Sequence, residues 1–160
     1  MEKISSAFAR ILVPTDFSPC AEYAVDYALD LAAALGASVE LCHVGTRPDY
    51  NVTRLVSPGM RTAAEGLVEQ LRALYEAARH EMDALIARKA RPGLTIGASF
   101  VEGLPDEGII ARAQALPADL IVIGSHGRRG LSRVLLGSIA ERVLHTAPCP
   151  VLVVHQPAAT

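Results

Sequence analysis

Hydrophobic residues along the chain form five short, nearly continuous runs, and the segments between them place apolar residues at helical spacing. Runs of about four to eight apolar residues bounded by turn-forming residues are typical of buried strands. The five runs are residues 10–15, 38–44, 94–101, 118–123 and 151–154. The segments with helical periodicity are residues 21–35, 62–91, 104–116 and 138–146. The chain therefore predicts five strands that alternate with four helices.

Local signals mark where the first two helices begin and end. Ser18 is a suitable N-cap for the first helix, Pro19 suits its first position, and Gly36 predicts its C-terminal end. Pro92-Gly93 ends the long second helix. Residues 45–61, which precede that helix, are rich in Pro, Gly, Asn and Asp and predict a loop. A loop of this length in a compact domain is usually functional or mobile.

Alternation of short buried strands with helices predicts an α/β fold, with helices on both faces of one parallel sheet. We expect a five-stranded, doubly wound, Rossmann-like sheet with strand order 3-2-1-4-5. Neither a repeat nor a linker divides the sequence, so residues 1–160 are expected to form a single domain. In such sheets, ligands bind at the carboxyl ends of the strands where the strand order reverses. Here that reversal falls between the first and fourth strands.

Composition narrows the class of protein. The 160 residues are 51% hydrophobic and 20% charged, which indicates a globular chain, and the net charge of −2 offers no global attraction for nucleic acids or anionic membranes. We expect neither a signal peptide nor a transmembrane helix. Three scattered cysteines predict free thiols rather than a disulfide framework or a metal site. Together these features favour a cytoplasmic protein that binds neither nucleic acid nor membrane.

The stretch Ile121 to Ser138 reads IVIGSHGRRGLSRVLLGS and carries the candidate chemistry. A buried run ends at Gly124, a loop rich in glycine and arginine follows, and Gly137-Ser138 opens a helix. A strand, a loop and a helix N-terminus in this order commonly hold phosphate groups on backbone N–H donors. Residues 14–16 follow the first strand and should lie at the same switch point.

The residue types suit a nucleotide. Gly124 and Gly127 would let the backbone approach a phosphate closely or adopt a positive φ. Ser138 can donate its hydroxyl, and Arg128 and Arg129 can neutralise a polyphosphate or can simply be solvated. Asp16 can accept a hydrogen bond from a ribose hydroxyl, lie near a phosphate-bound cation, or cap the first helix. The loop is not a Walker A motif, because GxxxxGK[ST] is absent, and GxGxxG does not follow the first strand.

The pattern Gly124-x2-Gly127-x9-Gly137-Ser138, followed by a helix and a Pro-x-Pro-Val strand, resembles the ATP-binding motif of the universal stress protein family. Two further blocks in the same order extend the resemblance over nearly the whole chain, namely ILVPTDFS from Ile11 and DLIVIGS from Asp119. The resemblance implies a Rossmann-like sheet of the adenine nucleotide alpha-hydrolase type, and a dimer. Some members lack the glycine pattern and do not bind ATP, whereas this chain has it.

By this resemblance, Val44 would meet the adenine through its backbone, residues 14–16 would line the base and ribose, and the glycine loop would hold the phosphates. The expected ligand is ATP, ADP or AMP, with Mg²⁺ carried on the phosphates and no metal held by the protein. The family pairs the last strand across the dimer, so Val151 to Val154 is the expected homodimer contact, although it could be an ordinary edge strand. The candidate binding residues are Pro14, Thr15, Asp16, Val44, Ile123, Gly124, Ser125, Gly127, Arg128, Arg129, Gly137 and Ser138.

Three functions remain open on this sequence. The first is a regulatory protein of the stress response that holds ATP with little or slow hydrolysis. The second is a slow ATPase or phosphotransferase, for which the sequence offers arginines but no convincing catalytic base. The third is a dimeric interaction module that binds no nucleotide.

Overall fold

The computed structural model describes residues 8–49, 51–127 and 136–157, and their strands form one parallel sheet. The strands are β1 (Arg10–Pro14), β2 (Ser38–Gly45), β3 (Ile96–Glu102), β4 (Leu120–Gly124) and β5 (Val151–Val154). Their order across the sheet is β3-β2-β1-β4-β5. The predicted fold class and strand order are therefore confirmed.

Helices follow the strands as expected, with one addition. They are α1 (Pro19–Leu35), α2 (Val52–Leu55), α3 (Arg61–Lys89), α4 (Pro105–Ala115) and α5 (Ser138–Thr146). The predicted ends of α1 are confirmed: the Ser18 hydroxyl accepts a hydrogen bond from the Ala21 N–H at 3.3 Å, and Gly36 adopts a left-handed conformation with φ 69°. The Ala37 N–H then bonds the Ala32 carbonyl at 3.0 Å, which closes the helix.

The prediction of a continuous loop over residues 45–61 is wrong in part. Strand β2 extends to Gly45, helix α2 forms within the segment, and a 3₁₀ turn covers Pro58–Met60. The Asp49 carboxylate accepts a hydrogen bond from the Asn51 N–H at 2.8 Å and so turns the chain into α2. Proline at the first position starts the 3₁₀ turn for the same reason that it starts α-helices.

The boundary between α3 and β3 also differs from the prediction. The helix ends at Lys89, and β3 begins at Ile96 rather than at residue 94. Gly93 has φ 79°, and the Leu94 N–H bonds the Arg91 carbonyl at 3.2 Å. Leu94 is therefore part of a turn, although it is apolar.

Each face of the sheet has its own core. On one face, alternate strand residues such as Val13 and Leu41 pack against α1 and against the C-terminal half of α3. On the other face, Leu12 and Ile121 pack against α4 and α5. Each fully buried side chain of this size stabilises the fold by about 1.5–3 kcal/mol.

Three acidic residues spaced four apart on α1 form ion pairs with basic residues at the end of α3. Lys89 binds Asp26 at 2.7 Å, Arg88 binds Glu22 at 3.1 Å, and Arg91, just beyond the helix, binds Asp30. These pairs link the end of α3 to α1 at the surface, beside the buried contacts of Met82 and Leu85.

The strands separate where the order reverses. β1 and β4 share two register pairs, Ile11–Leu120 and Leu12–Ile121, and then diverge. The register of β1 with β2 ends at Pro14–Cys42, so β2 continues past β1. A crevice therefore opens at the carboxyl end of β1. None of the helices in the described part of the chain is long and apolar enough to cross a membrane.

Candidate functional site

A cavity of about 630 Å³ lies at this crevice, on the face of the sheet covered by α4 and α5. Ten of the twelve predicted site residues line it. These are Pro14, Thr15, Asp16, Val44, Ile123, Gly124, Ser125, Gly127, Gly137 and Ser138. The other two, Arg128 and Arg129, lie outside the described residues. Two sequence blocks more than a hundred residues apart thus meet in one cavity.

The N-terminus of α5 forms one wall of the cavity. Its N-cap is Gly137, which has no side chain, and no side chain caps the first turn. The Gly137 N–H bonds the Ser125 carbonyl at 2.8 Å, and this bond holds the helix start beside the end of β4. The first N–H groups of a helix lack intrahelical partners and lie at the positive end of the helix dipole. This wall is therefore suited to an anion.

The three glycines of the motif make close contacts within the chain. A Cβ on Gly124 would lie 3.0 Å from the Cys20 carbonyl oxygen, and one on Gly137 would lie 3.0 Å from the Ser125 carbonyl oxygen. A Cβ on Gly127 would lie 2.8 Å from Oδ2 of Asp16. None of the three has a positive φ, so of the two roles offered for Gly124 and Gly127 the structure favours close approach. Each glycine is explained by a close approach of other atoms, and in this structure those atoms belong to Cys20, Asp16 and Ser125 of the same chain.

Asp16 and Thr15 form the turn that leads from β1 into α1. Asp16 Oδ1 accepts a hydrogen bond from the Ser18 N–H at 3.0 Å, and the Thr15 hydroxyl accepts one from the Phe17 N–H at 3.0 Å. Phe17 has φ 61°, a backbone conformation that residues other than glycine rarely adopt. Asp16 therefore helps to start α1, as its alternative reading predicted, while its other oxygen faces Gly127.

Val44 is positioned by Gly108 of α4, which was not among the predicted site residues. A Cβ on Gly108 would lie 2.6 Å from a Val44 methyl group, so only glycine lets the helix pack on this valine. Pro105 and Ile109 of the same helix also line the cavity. The signal was available, because a glycine inside a predicted helix often marks close packing.

The end of β4 carries a small polar cluster. Ser125 is 1% exposed, and its hydroxyl lies 2.9 Å from Nδ1 of His126 and 3.8 Å from Sγ of Cys20. The His126 ring centroid lies 6.4 Å from that of His155, which follows β5. The Ser125 N–H bonds the Val154 carbonyl at 2.8 Å, which ties the cluster to β5.

The described lining of the cavity contains little charge. Asp16 is its one carboxylate, and it includes neither lysine nor arginine. Burial raises the pKa of the Cys42 thiol to about 11, so this lining residue is neutral at physiological pH. Within the described ranges, no group of three or more His, Cys, Asp or Glu side chains could hold a metal ion.

The model of the universal stress protein family matches residues 7–155. The chain belongs to the universal stress protein family. This confirms the resemblance carried by the glycine motif, and the matched region contains every residue that lines the cavity. A universal stress protein of Methanocaldococcus jannaschii is 36% identical over 151 residues, which cover 94% of this chain and 84% of the relative.

Solved structures of the universal stress protein family share the fold. A second family member from the same organism superimposes with a TM-score of 0.73 at 30% identity, covering 96% of this chain and 99% of that chain. The crystal structure of a universal stress protein in complex with cAMP superimposes with a TM-score of 0.61 at 25% identity, covering 94% and 98% of the two chains.

Proposed function

We propose that this universal stress protein is a nucleotide-dependent regulator that holds ATP or a related adenine nucleotide in the crevice between β1 and β4, with little or slow hydrolysis. The observation that carries the proposal is the convergence of Pro14–Asp16, the end of β4 and the uncapped start of α5 on one cavity. Its volume lies within the range of about 300–1,000 Å³ that is usual for small-molecule sites. The relative that was crystallised with cAMP supports an adenine nucleotide as the ligand class.

The polarity of the cavity suggests how the ligand lies. Apolar side chains, among them Val44 and Ile109, surround the end near β2 and suit a base. Ser138 and the N–H groups of α5 suit phosphates at the other end. Because the described lining includes neither lysine nor arginine, Arg128 and Arg129 or a Mg²⁺ ion on the phosphates would supply the positive charge.

Membership of the family supports a proposal for the assembly and the location. We propose a homodimer through β5, whose outer edge has no strand partner among the described residues and would otherwise be an apolar edge open to solvent. We also propose that the protein works in the cytoplasm and that residues 1–160 act as one domain.

The proposal is tested by adding ATP, ADP, AMP, cAMP and adenosine separately and measuring the free energy of unfolding. A nucleotide present at about 100 times its dissociation constant should raise that free energy by about 2.7 kcal/mol. Ser138→Ala should weaken ATP and ADP binding about tenfold, since a hydrogen bond to a charged group is lost, and should leave adenosine binding unchanged.

The matched control for this variant is Ser57→Ala, which removes a hydroxyl that does not line the cavity. If none of the five ligands shifts unfolding, the protein is a nucleotide-free interaction module. Single-turnover hydrolysis faster than about one per minute, a barrier below roughly 20 kcal/mol, would instead make it an ATPase.

A further inference from the structure

The middle of α3 buries fewer side chains than the two ends of the helix. Ala64 and Val68 are buried in its N-terminal part, and Met82 and Leu85 are buried in its C-terminal part. Between them, Leu74 is 68% exposed, although it belongs to the apolar stripe of the helix. The helix therefore leaves space between its central turns and the carboxyl ends of β2 and β3.

This space is a cavity of about 300 Å³, and all of its lining residues are described. Phe100 and Tyr75 form an aromatic wall, with ring centroids 5.8 Å apart in an edge-to-face arrangement, and Leu71 lies beside them. Aromatic pairs of this geometry attract a further ring or an aliphatic body by burial and by edge contacts. The cavity lies on the side of the sheet covered by α3, whereas the nucleotide cavity lies on the side covered by α4 and α5.

The cavity lining holds one arginine and one carboxylate, Arg47 and Glu102, and a second arginine, Arg79, lies close to the aromatic wall. Arg47 lines the cavity, and the Arg79 guanidinium carbon lies 5.7 Å from the centre of the Phe100 ring. Neither arginine forms an ion pair with any described residue, and Glu102 is the single carboxylate in the lining. An exposed arginine beside an aromatic wall can bind a carboxylate through two parallel hydrogen bonds.

We propose that this cavity is a second ligand site, which takes a small aromatic carboxylate with its ring against Phe100 and Tyr75 and its carboxylate on Arg47. A single ring with a short acidic side chain fits the volume, and the two arginines, which lack an ion-pair partner among the described residues, favour the anion. The proposal does not rest on the nucleotide site, although the two cavities share one lining residue, His43. That residue connects them physically, because its Nδ1 lies 2.9 Å from the carbonyl oxygen of Thr15 in the nucleotide cavity.

The test uses three probes of matched shape, namely phenylacetate, phenylacetamide and phenethylamine, titrated into the isotopically labelled full chain and followed by NMR. Phenylacetate should shift the backbone amides of residues 45–47 and 100–102, with at least tenfold weaker effects from the neutral and cationic probes. The amides of residues 124–127 report the nucleotide cavity and should shift much less.

Two variants locate the binding energy. Arg47→Gln should weaken phenylacetate binding about tenfold, and Ala78→Phe should abolish it by filling the cavity. Arg54→Gln, an exposed arginine on α2 outside the cavity, is the matched control. An unchanged unfolding midpoint for Arg47→Gln shows that its effect is not a loss of folding.

Three results would overturn the proposal. The first is no shift with phenylacetate up to millimolar concentrations. The second is equal binding of all three probes, which would remove the role of charge. The third is a set of shifts centred on residues 124–127, which would place the probe in the nucleotide cavity.

Discussion

Gly124, Gly127 and Gly137 are the residues on which the nucleotide motif depends, and each also packs tightly on its own chain. The neighbours differ in kind: Gly124 and Gly137 face backbone carbonyl groups, whereas Gly127 faces a carboxylate at the end of a side chain. A glycine-to-alanine change in this motif therefore perturbs the protein before any ligand is present. Loss of nucleotide binding in such a variant would not by itself show contact with a phosphate.

Gly127→Ala should lower the free energy of unfolding by about 1–2 kcal/mol, because the new methyl group overlaps Asp16. The cost should be clearly smaller when it is measured in an Asp16→Ala background, since the overlapping carboxylate is then absent. The measurement is a double-mutant cycle of urea unfolding. Additive effects would contradict the contact.

The parallel cycle with Gly124→Ala and Cys20→Ala provides the contrast. There the Cβ would lie 3.0 Å from the Cys20 backbone carbonyl oxygen, which Cys20→Ala keeps, and 3.1 Å from Cys20 Sγ, which it removes. The cost of Gly124→Ala should therefore be relieved only in part in the double variant.

Among the helices and strands, the features that were predictable are those with local causes. Ser18 and Gly36 set the ends of α1 through their own side chain and backbone, so the sequence was sufficient there. Helix α2 was missed because the loop-forming residues around it dominate the pattern. Glu40, a carboxylate in the middle of β2, pairs with an arginine 72 residues away, and no local pattern predicts such a partner.

The pair between β2 and α4 joins Glu40 to Arg112 through two hydrogen bonds of 2.5 and 2.9 Å. Partial burial alone would raise the pKa of Glu40, but hydrogen bonds from Arg112 and Ser99 and the charge of Arg112 hold it below its ordinary value of 4.5. The folded protein therefore binds fewer protons at this group than the unfolded chain. The resulting stability is complete above about pH 4.5 and is lost as the pH falls through the lower pKa of the folded state.

Glu40→Gln should accordingly lower the free energy of unfolding by about 1–2 kcal/mol at neutral pH, since the pair is partly screened by solvent. The difference from the wild type should shrink as the pH is lowered below about 4.5. Urea unfolding at several pH values measures this. Glu69→Gln, which removes a more exposed ion pair with Arg72, is the control and should change stability by less than about 0.5 kcal/mol. A pH-independent difference for Glu40→Gln would contradict the linkage.

At the scale of the whole molecule, the alternation of strands and helices predicted the parallel sheet, and the strand order expected for a doubly wound fold then placed the crevice. The cavity beside α3 could not be predicted in this way. It depends on how far the middle of a long helix stands from the sheet, and Leu71, Leu74 and Tyr75 have the same apolar spacing whether they are packed or not. The expected dimer depends on the outer edge of β5, and a substitution at that edge tests it.

The carbonyl groups of Pro150, just before β5, and of Val154 accept hydrogen bonds from the N–H groups of Ile121 and Ser125, so by alternation the Val153 N–H points to the outer edge of β5. Val153→Pro removes that donor without breaking a bond to β4, and it should convert the dimer to a monomer that still folds. Val153→Ala keeps the donor and should remain dimeric. Light scattering at micromolar concentration gives the mass, and a monomeric wild type or a dimeric proline variant would refute the interface.

Neighbouring strands of the sheet are paired over unequal lengths. Among the described strands, β1 and β4 share two register pairs, whereas the other neighbours share between four and seven. The sheet thus consists of a three-stranded part, β3-β2-β1, and a two-stranded part, β4-β5, which are joined by the short pairing of β1 with β4. The crevice opens at the carboxyl end of this pairing. A ligand bound across this crevice would contact both parts of the sheet. It would restrict their relative motion more than it would change the shape of the molecule. Because β5 is the outer strand of the two-stranded part, a partner subunit bound there would contact the part whose motion depends on whether the ligand is bound.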